Sequence, residues 1–213
     1  MRIIAGRFRR RRLLARPGDV TRPITDRVKE QFFAHCEQRV VGARVADIFA
    51  GTGTIGLEAL SRGAASVVFI EQDRLSAELL RKNIAALGAD DQAFCWQTDA
   101  LASSFRPRGK AAEWLPYELI FVDPPYRMIP KLRSGSRLYK SLQRLARPEV
   151  AAENARLVLR TPEHVQFEMP ALWDLDWQLA NSGMTMHVYS LQPREAAVEA
   201  ADPTDGPTQG EPA

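Results

Sequence analysis

Four runs, Val45-Ala46-Asp47-Ile48-Phe49-Ala50, Ser66-Val67-Val68-Phe69-Ile70, Ala93-Phe94-Cys95-Trp96-Gln97 and Leu119-Ile120-Phe121-Val122, are short and rich in β-branched and aromatic residues. Glycine, proline or an acid bounds each of them, so they read as strands, and the Val45 and Leu119 runs as strands buried on both faces. Between them apolar residues recur at helical spacing. Ile55, Leu57, Ala59 and Leu60 predict a helix ending near Arg62-Gly63, and Leu138, Leu142 and Leu145 predict one between Arg137 and Ala146. A further helix is expected from Asp26 to about Arg39. Leu157 to Pro162 reads as another strand, and Trp177 to Leu179 with Met184 to Leu191 as a closing antiparallel pair. Strands alternating with helices imply an α/β fold: a doubly wound, mostly parallel, Rossmann-like sheet with helices on both faces and an antiparallel C-terminal strand.

The N-terminus departs from this pattern. Ile3, Ile4, Phe8, Leu13 and Leu14 interleave with arginines, as in a packed β-hairpin turning near Gly6. Residues 1–29 hold ten cations against two acids, whereas residues 193–213 hold one cation against five, in a chain of net charge +3. The basic footprint is therefore concentrated at one end, as expected of a surface that meets phosphates. Residues 1–24 read as a small basic extension, 25–192 as the main domain, and 193–213 as an acidic tail too poor in apolar residues to fold.

At 213 residues the chain suits one domain. It has no uncharged apolar stretch long enough to span a bilayer and no secretory signal pattern. Cys36 and Cys95 are isolated, which makes a reducing cytoplasm the expectation. His35, His164 and His187 show no metal-ligand spacing, and no metal site is expected.

The chemistry begins at Asp123-Pro124-Pro125-Tyr126, which closes the fourth strand. Two prolines force the chain out of the sheet, at the strand end where open α/β sheets bind ligands. An acid and a proline carbonyl there can hold the two N–H groups of a planar amine, and Tyr126 can stack on its ring. The first strand leads into Gly51-Thr52-Gly53-Thr54-Ile55-Gly56, where glycines permit positive φ and close backbone approach to a ligand. Glu71 ends the second strand, 24 residues after Asp47, about where doubly wound folds grip a ribose. Asp99 follows the third strand and is placed to accept from an adenine amino group. Asp47, four residues before the first glycine, is an odd neighbour for a pyrophosphate. The acids favour a cationic, phosphate-free ligand, and S-adenosylmethionine, with its sulfonium, ammonium and ribose diol, answers that description.

In this order Asp47-Ile48-Phe49-Ala50-Gly51-Thr52-Gly53, Glu71, Asp99 and Asp123-Pro124-Pro125-Tyr126 resemble the S-adenosylmethionine-dependent amino-methyltransferases. Arg2-Ile3-Ile4-Ala5-Gly6-Arg7-Phe8-Arg9 and Arg22-Pro23-Ile24-Thr25-Asp26-Arg27-Val28-Lys29-Glu30 are similar to the signature of the RsmD family over roughly residues 1–192. That resemblance implies methylation of a guanine N2 amine in small-subunit (16S) ribosomal RNA, either naked or in a partly assembled subunit. It implies a cofactor site at Asp47, Phe49, Ala50, Gly51, Thr52, Gly53, Gly56, Glu71, Gln72, Asp99 and Ala100. It places catalysis at Asp123, Pro124, Pro125 and Tyr126, and RNA contacts at Arg7, Arg9, Arg10, Arg11, Arg22, Thr25 and Arg27. The chain departs from the family at Arg160, where an acid is usual, and the stretches 106–116 and 128–137 look longer than the family needs.

Two rivals share parts of this pattern. An amino-methyltransferase acting on adenine in nucleic acid or on a protein glutamine would use the same Asp-Pro-Pro-Tyr turn, because each substrate offers a planar amine. The arginine-rich hairpin favours nucleic acid over protein, and the family resemblance favours RNA over DNA. A nicotinamide-dependent oxidoreductase would also match the glycine spacing, but it leaves Asp123-Pro124-Pro125-Tyr126 without a role.

Overall fold

The computed structural model of the protein describes residues 1–16, 26–181 and 183–193. The elements run α1 (Asp26–Val40), β1 (Arg44–Ile48), α2 (Thr54–Ser61), β2 (Ser66–Glu71), α3 (Arg74–Leu87), β3 (Ala93–Gln97), β4 (Tyr117–Val122), α4 (Arg137–Leu145), β5 (Ala151–Pro162), β6 (Trp173–Asn181) and β7 (Met184–Leu191). Short 3-10 helices lie at Gly109–Trp114 and Tyr126–Lys131. The seven strands form one sheet in the order β3-β2-β1-β4-β5-β7-β6. Pairing is parallel from β3 through β5 and antiparallel for β5–β7 and β6–β7. This is the doubly wound sheet with an antiparallel close that the apolar pattern predicts.

From β1 the chain builds outward through β2 and β3, then returns to place β4 and β5 on the other side. The order reverses between β1 and β4, so a crevice opens at their carboxyl ends. Both faces of the central strands are covered. Phe32, Phe33, Leu57 and Leu80 pack with Phe69 and Phe121 on one face. Leu138, Leu142 and Trp173 pack with Ile120, Val122 and Leu157 on the other. Each such side chain, taken fully out of water, stabilises by roughly 1.5–3 kcal/mol. The Trp173 Nε1–H donates to the Leu142 carbonyl at 3.0 Å, so its polar edge is not stranded. Among the described residues no helix is long and apolar enough to cross a membrane.

One element end differs from the apolar pattern, for a local reason. The pattern carries β1 to Ala50, but the strand stops at Ile48 because Phe49 turns to φ +64°. Ala50 N then donates to the Ile70 carbonyl at 3.1 Å, and the chain swings over the sheet. Helix α3, which the apolar runs above leave unmarked, buries Ala77, Leu80 and Ile84 on one face and is framed by caps. The Asp73 carboxylate accepts from Ser76 N at 2.8 Å, and Gly88 closes the helix at φ +62°.

The N-terminal segment folds back on itself, with Ile3 N donating to Arg11 O and Leu13 N to Met1 O, both at 3.0 Å. Ile3 and Leu13 enter the core. The arm is fastened to α2. The buried Glu58 carboxylate accepts from Ile4 N at 2.8 Å, Ala5 N at 3.0 Å and Arg62 Nε at 2.8 Å. Lys29, also buried, lies 3.9 Å from Glu58 and donates to the Arg2 carbonyl at 2.8 Å. Desolvation pushes its ammonium pKa down, and Glu58 opposes that. At Gly6 (φ +77°) a Cβ would sit 1.8 Å from the Ser61 carbonyl oxygen, so only glycine permits this approach.

Candidate active site

The carboxyl ends of β3, β2, β1 and β4 bring Asp99, Glu71, the glycine loop and Asp123 side by side, in that spatial order. The loop starts at Phe49, an aromatic residue in the left-handed region, where a bulky side chain is strained. Gly51 (φ +56°) and Gly53 (φ +86°) continue it into α2. An added Cβ on Gly51 would meet nothing within 4 Å, so its backbone faces open space. Gly56 is tight for a different reason: a Cβ there would come 2.4 Å from Phe69 Cε1 and 2.9 Å from Asp47 Oδ2. Gly56 therefore serves the packing of α2 on the sheet.

Acids hold this loop in shape. Asp47, 1% exposed, accepts from Gly56 N at 2.9 Å through Oδ2. Burial pushes its carboxyl up to about 7; the Gly56 bond opposes the rise, and the charges of Asp123 and Glu71 add to it. Glu71 stitches two elements, taking Gly51 N at 2.8 Å on Oε2 and Asp73 N at 2.7 Å on Oε1. Asp99 accepts from Leu101 N at 2.8 Å on Oδ1 and pairs with the exposed Arg137 at 3.0 Å on Oδ2. Thr52 and Ala100 are buried beside these acids, whereas Gln72 is exposed. The buried Asn83 amide donates to the Thr52 carbonyl at 3.0 Å.

On the other side of the switch point, Asp123 N donates to the Ile48 carbonyl at 3.1 Å, which ties the Asp-Pro-Pro-Tyr turn to β1. The Pro125 carbonyl is engaged by Met128 N at 2.8 Å, while the Pro124 carbonyl accepts no bond from a described residue. Desolvation raises the Asp123 carboxyl, and Arg160 opposes the rise. Arg160 Nε lies 3.0 Å from Asp123 Oδ1, and its guanidinium carbon is 5.4 Å from the centre of the Tyr126 ring. The Tyr126 hydroxyl is buried and has no hydrogen-bond partner among the described residues. The sequence marks Arg160 only as a departure. The signal that it joins the site is a lone cation closing the apolar run Leu157-Val158-Leu159, since a buried charge requires a partner.

Five of the arginines expected to meet RNA fall among the described residues. Arg7 and Arg11 donate to Gln92 Oε1 and the Ala86 carbonyl, each at 2.5 Å, which pins the arm to α3 and the turn before β3. Arg9 and Arg10 are exposed on the arm, and Arg27 is exposed in the first turn of α1. Arg22 and Thr25 lie outside the described residues, as does the expected acidic tail from residue 194 onward. No group of His, Cys, Asp and Glu among the described residues is arranged to hold a metal ion.

The family described as Conserved hypothetical protein 95 matches residues 1–189 of this chain. The chain belongs to that family, the RsmD family. An RsmD-family relative, ribosomal RNA small subunit methyltransferase D of Escherichia coli, is 41% identical over 127 residues, which are 60% of this chain and 61% of the relative. The alignment thus spans about three-fifths of that relative's length. The solved structure of Escherichia coli yhhF superposes with a TM-score of 0.74 at 30% identity, covering 91% of this chain and 99% of that one. An RNA methyltransferase from Salinibacter ruber, solved with S-adenosyl-L-homocysteine, shares the fold at 17% identity, with a TM-score of 0.58 over 81% of this chain and 97% of that one.

Proposed function

We propose that this RsmD-family chain transfers a methyl group from S-adenosylmethionine to the exocyclic N2 amine of a guanine in small-subunit ribosomal RNA. The observation that carries the reading is the acceptor pair at the switch point. Asp123 Oδ2 and the Pro124 carbonyl accept nothing from the described residues, and they stand beside a glycine loop lined with acids. Two acceptors matched to two N–H groups turn the nitrogen lone pair out of the base plane, where it is nucleophilic. Tyr126 offers a ring on which the base can stack.

The loop fits the cofactor. Gly51 presents backbone to open space, Glu71 retains lone pairs for a diol, and the acids around the loop suit a sulfonium and an ammonium better than a pyrophosphate. When bound, S-adenosylmethionine supplies a methyl already activated by positive sulfur, and its transfer leaves a neutral thioether. Asp123 then has two tasks: to orient the amine in line with that methyl and to offset the charge that grows on nitrogen until one of its protons passes to water. A base inside structured RNA reaches such a crevice only when unpaired or flipped out.

The name of the Escherichia coli relative supports ribosomal RNA of the small subunit as the substrate class, and the exposed arginines of the arm suit its phosphates. Labelled methyl transfer to naked ribosomal RNA and to partly assembled small subunits tests the reading, with the product located by reverse-transcription stops and by nucleoside analysis. N2-methylguanosine at one position is the expected product. N6-methyladenosine, or label in protein alone, refutes the substrate assignment. Asp123→Ala is expected to slow transfer about 10²–10³-fold, the range for losing one group that stabilises developing charge. Its cofactor affinity should stay within a few-fold of the parent.

A further inference from the structure

We propose that Arg160 is the positioning residue of this site: its guanidinium holds Asp123 Oδ1 and the Tyr126 ring together, so that Oδ2 alone is presented to the amine. The inference rests on the amino-methyltransferase reading of Asp123 given above. Three features of the geometry carry it. Arg160 Nε is 3.0 Å from Asp123 Oδ1, the guanidinium lies 5.4 Å from the Tyr126 ring centre, and the Arg160 side chain is only 8% exposed. One planar cation therefore touches both functional side chains of the Asp-Pro-Pro-Tyr turn. It reaches them from β5, which pairs in parallel with β4 and aligns Leu159 with Val122.

This division of the carboxylate has a chemical purpose. The Nε–Oδ1 contact is an ion pair without hydrogen-bond alignment, and a buried cation against one oxygen restrains the carboxylate so that its second oxygen favours one direction. The charged and titratable groups around Asp123 are Asp47 on β1, Arg160 on β5 and Tyr126 in the turn, with Glu71 on β2 beyond Asp47. Two of these are acids and one is a phenol, so among the described residues Arg160 is the cation that opposes protonation of Asp123. A protonated Asp123 would present an O–H where the amine needs an acceptor. The guanidinium also lies near the Tyr126 face and fixes the plane against which a base would stack.

The experiment compares full-length wild type with Arg160→Met and Arg160→Lys in methyl transfer to ribosomal RNA, from pH 5 to 9. Circular dichroism and S-adenosylmethionine titration establish that each variant is folded and loaded. Arg160→Met should lower kcat by about 10- to 100-fold, as for groups that orient a reacting side chain. KM for RNA should stay within a few-fold. The acid limb of the kcat–pH profile should move to higher pH, because Asp123 loses the cation that holds it ionised. Arg160→Lys should return that limb towards wild type while kcat stays low, since lysine keeps the charge but lacks the planar fork.

Wild-type kcat and an unmoved limb in Arg160→Met would overturn the proposal. So would an equal loss of kcat in both variants with neither limb displaced, which is the signature of a packing role. Should Arg160→Met not fold, Arg160→Lys decides by itself, and wild-type kcat there overturns the proposal. Asp123→Ala, which removes the acceptor altogether, is run in parallel and separates the two readings. If it is active, the amine assignment falls and takes the Arg160 role with it. If it is inactive while Arg160→Met behaves as wild type, only the role of Arg160 falls.

Discussion

Replacing Glu58 with glutamine tests whether the basic arm is part of the folded domain. Glu58 is 0% exposed, and its two oxygens accept from Ile4 N, Ala5 N and Arg62 Nε at 2.8–3.0 Å. Glutamine keeps one acceptor and puts an NH2 where the other stood. That group then faces a backbone N–H with no acceptor between them. Losing a charge-assisted bond costs about 1.5–3 kcal/mol, and a buried donor left unmade costs about 1–3 more. Arg62 and Lys29 also lose their buried counter-charge, a break worth about 3–5 kcal/mol in comparable pairs. These terms overlap, so about 3 kcal/mol is a conservative floor. For a domain of this size that lowers Tm by about 6–12 °C. Thermal unfolding followed by circular dichroism reads the global loss, and hydrogen exchange at the amides of residues 1–14 reads the arm. A Tm within about 2 °C of wild type, with the arm amides equally protected, would refute the assignment of Glu58 as the arm's anchor.

Asp47→Asn should change the pH dependence of stability. The folded carboxyl of Asp47, near 7, lies above the unfolded value near 4, so the native state keeps a proton that the unfolded chain has released. Stability falls as pH rises through that window, and asparagine removes the fall while still accepting from Gly56 N. The Tm of the variant relative to wild type should rise from pH 5 to pH 8, and a difference independent of pH would contradict this. Gly56→Ala should destabilise by about 1–3 kcal/mol in urea unfolding, because the methyl would lie 2.4 Å from Phe69 Cε1; an unchanged midpoint would show that α2 can shift. Replacing the exposed Arg9, Arg10 and Arg12 with alanine should flatten the log–log salt dependence of RNA affinity by about 0.7–0.9 for each phosphate that is no longer neutralised. An unchanged slope would mean these cations do not meet phosphate.

What could be read from the sequence was whatever is encoded locally. β3 is apolar from Ala93 and ends in a polar residue at Gln97, so its limits are visible in the residues themselves. The Asp-Pro-Pro-Tyr turn is forced by proline geometry wherever the sheet lies. The end of β1 was less legible, because Phe49 is a good strand residue that here takes a left-handed conformation. Least legible were side chains whose partners are remote in sequence. Glu58 reads as an ordinary polar residue on an amphipathic helix, yet it is fully buried because Ile4 and Ala5, more than fifty residues upstream, bring their amides to it. Arg160 stood out as an oddity in an apolar strand, but its pairing with Asp123 exists only because β4 and β5 are adjacent.

Asn83 makes one polar group common to two regions. Its amide binds the Leu14 backbone on both sides, accepting from N at 2.8 Å and donating to O at 3.1 Å, and it also donates to the Thr52 carbonyl in the glycine loop. The end of the basic arm and the floor of the glycine loop thus share a single buried side chain. A ligand that orders either segment fixes the same side chain, so the entropy lost in holding it is charged to whichever ligand arrives first. Arm and loop are then linked energetically with no large movement of either. Any such linkage runs both ways: the factor by which a ligand on the arm changes binding at the loop equals the factor by which a ligand at the loop changes binding on the arm.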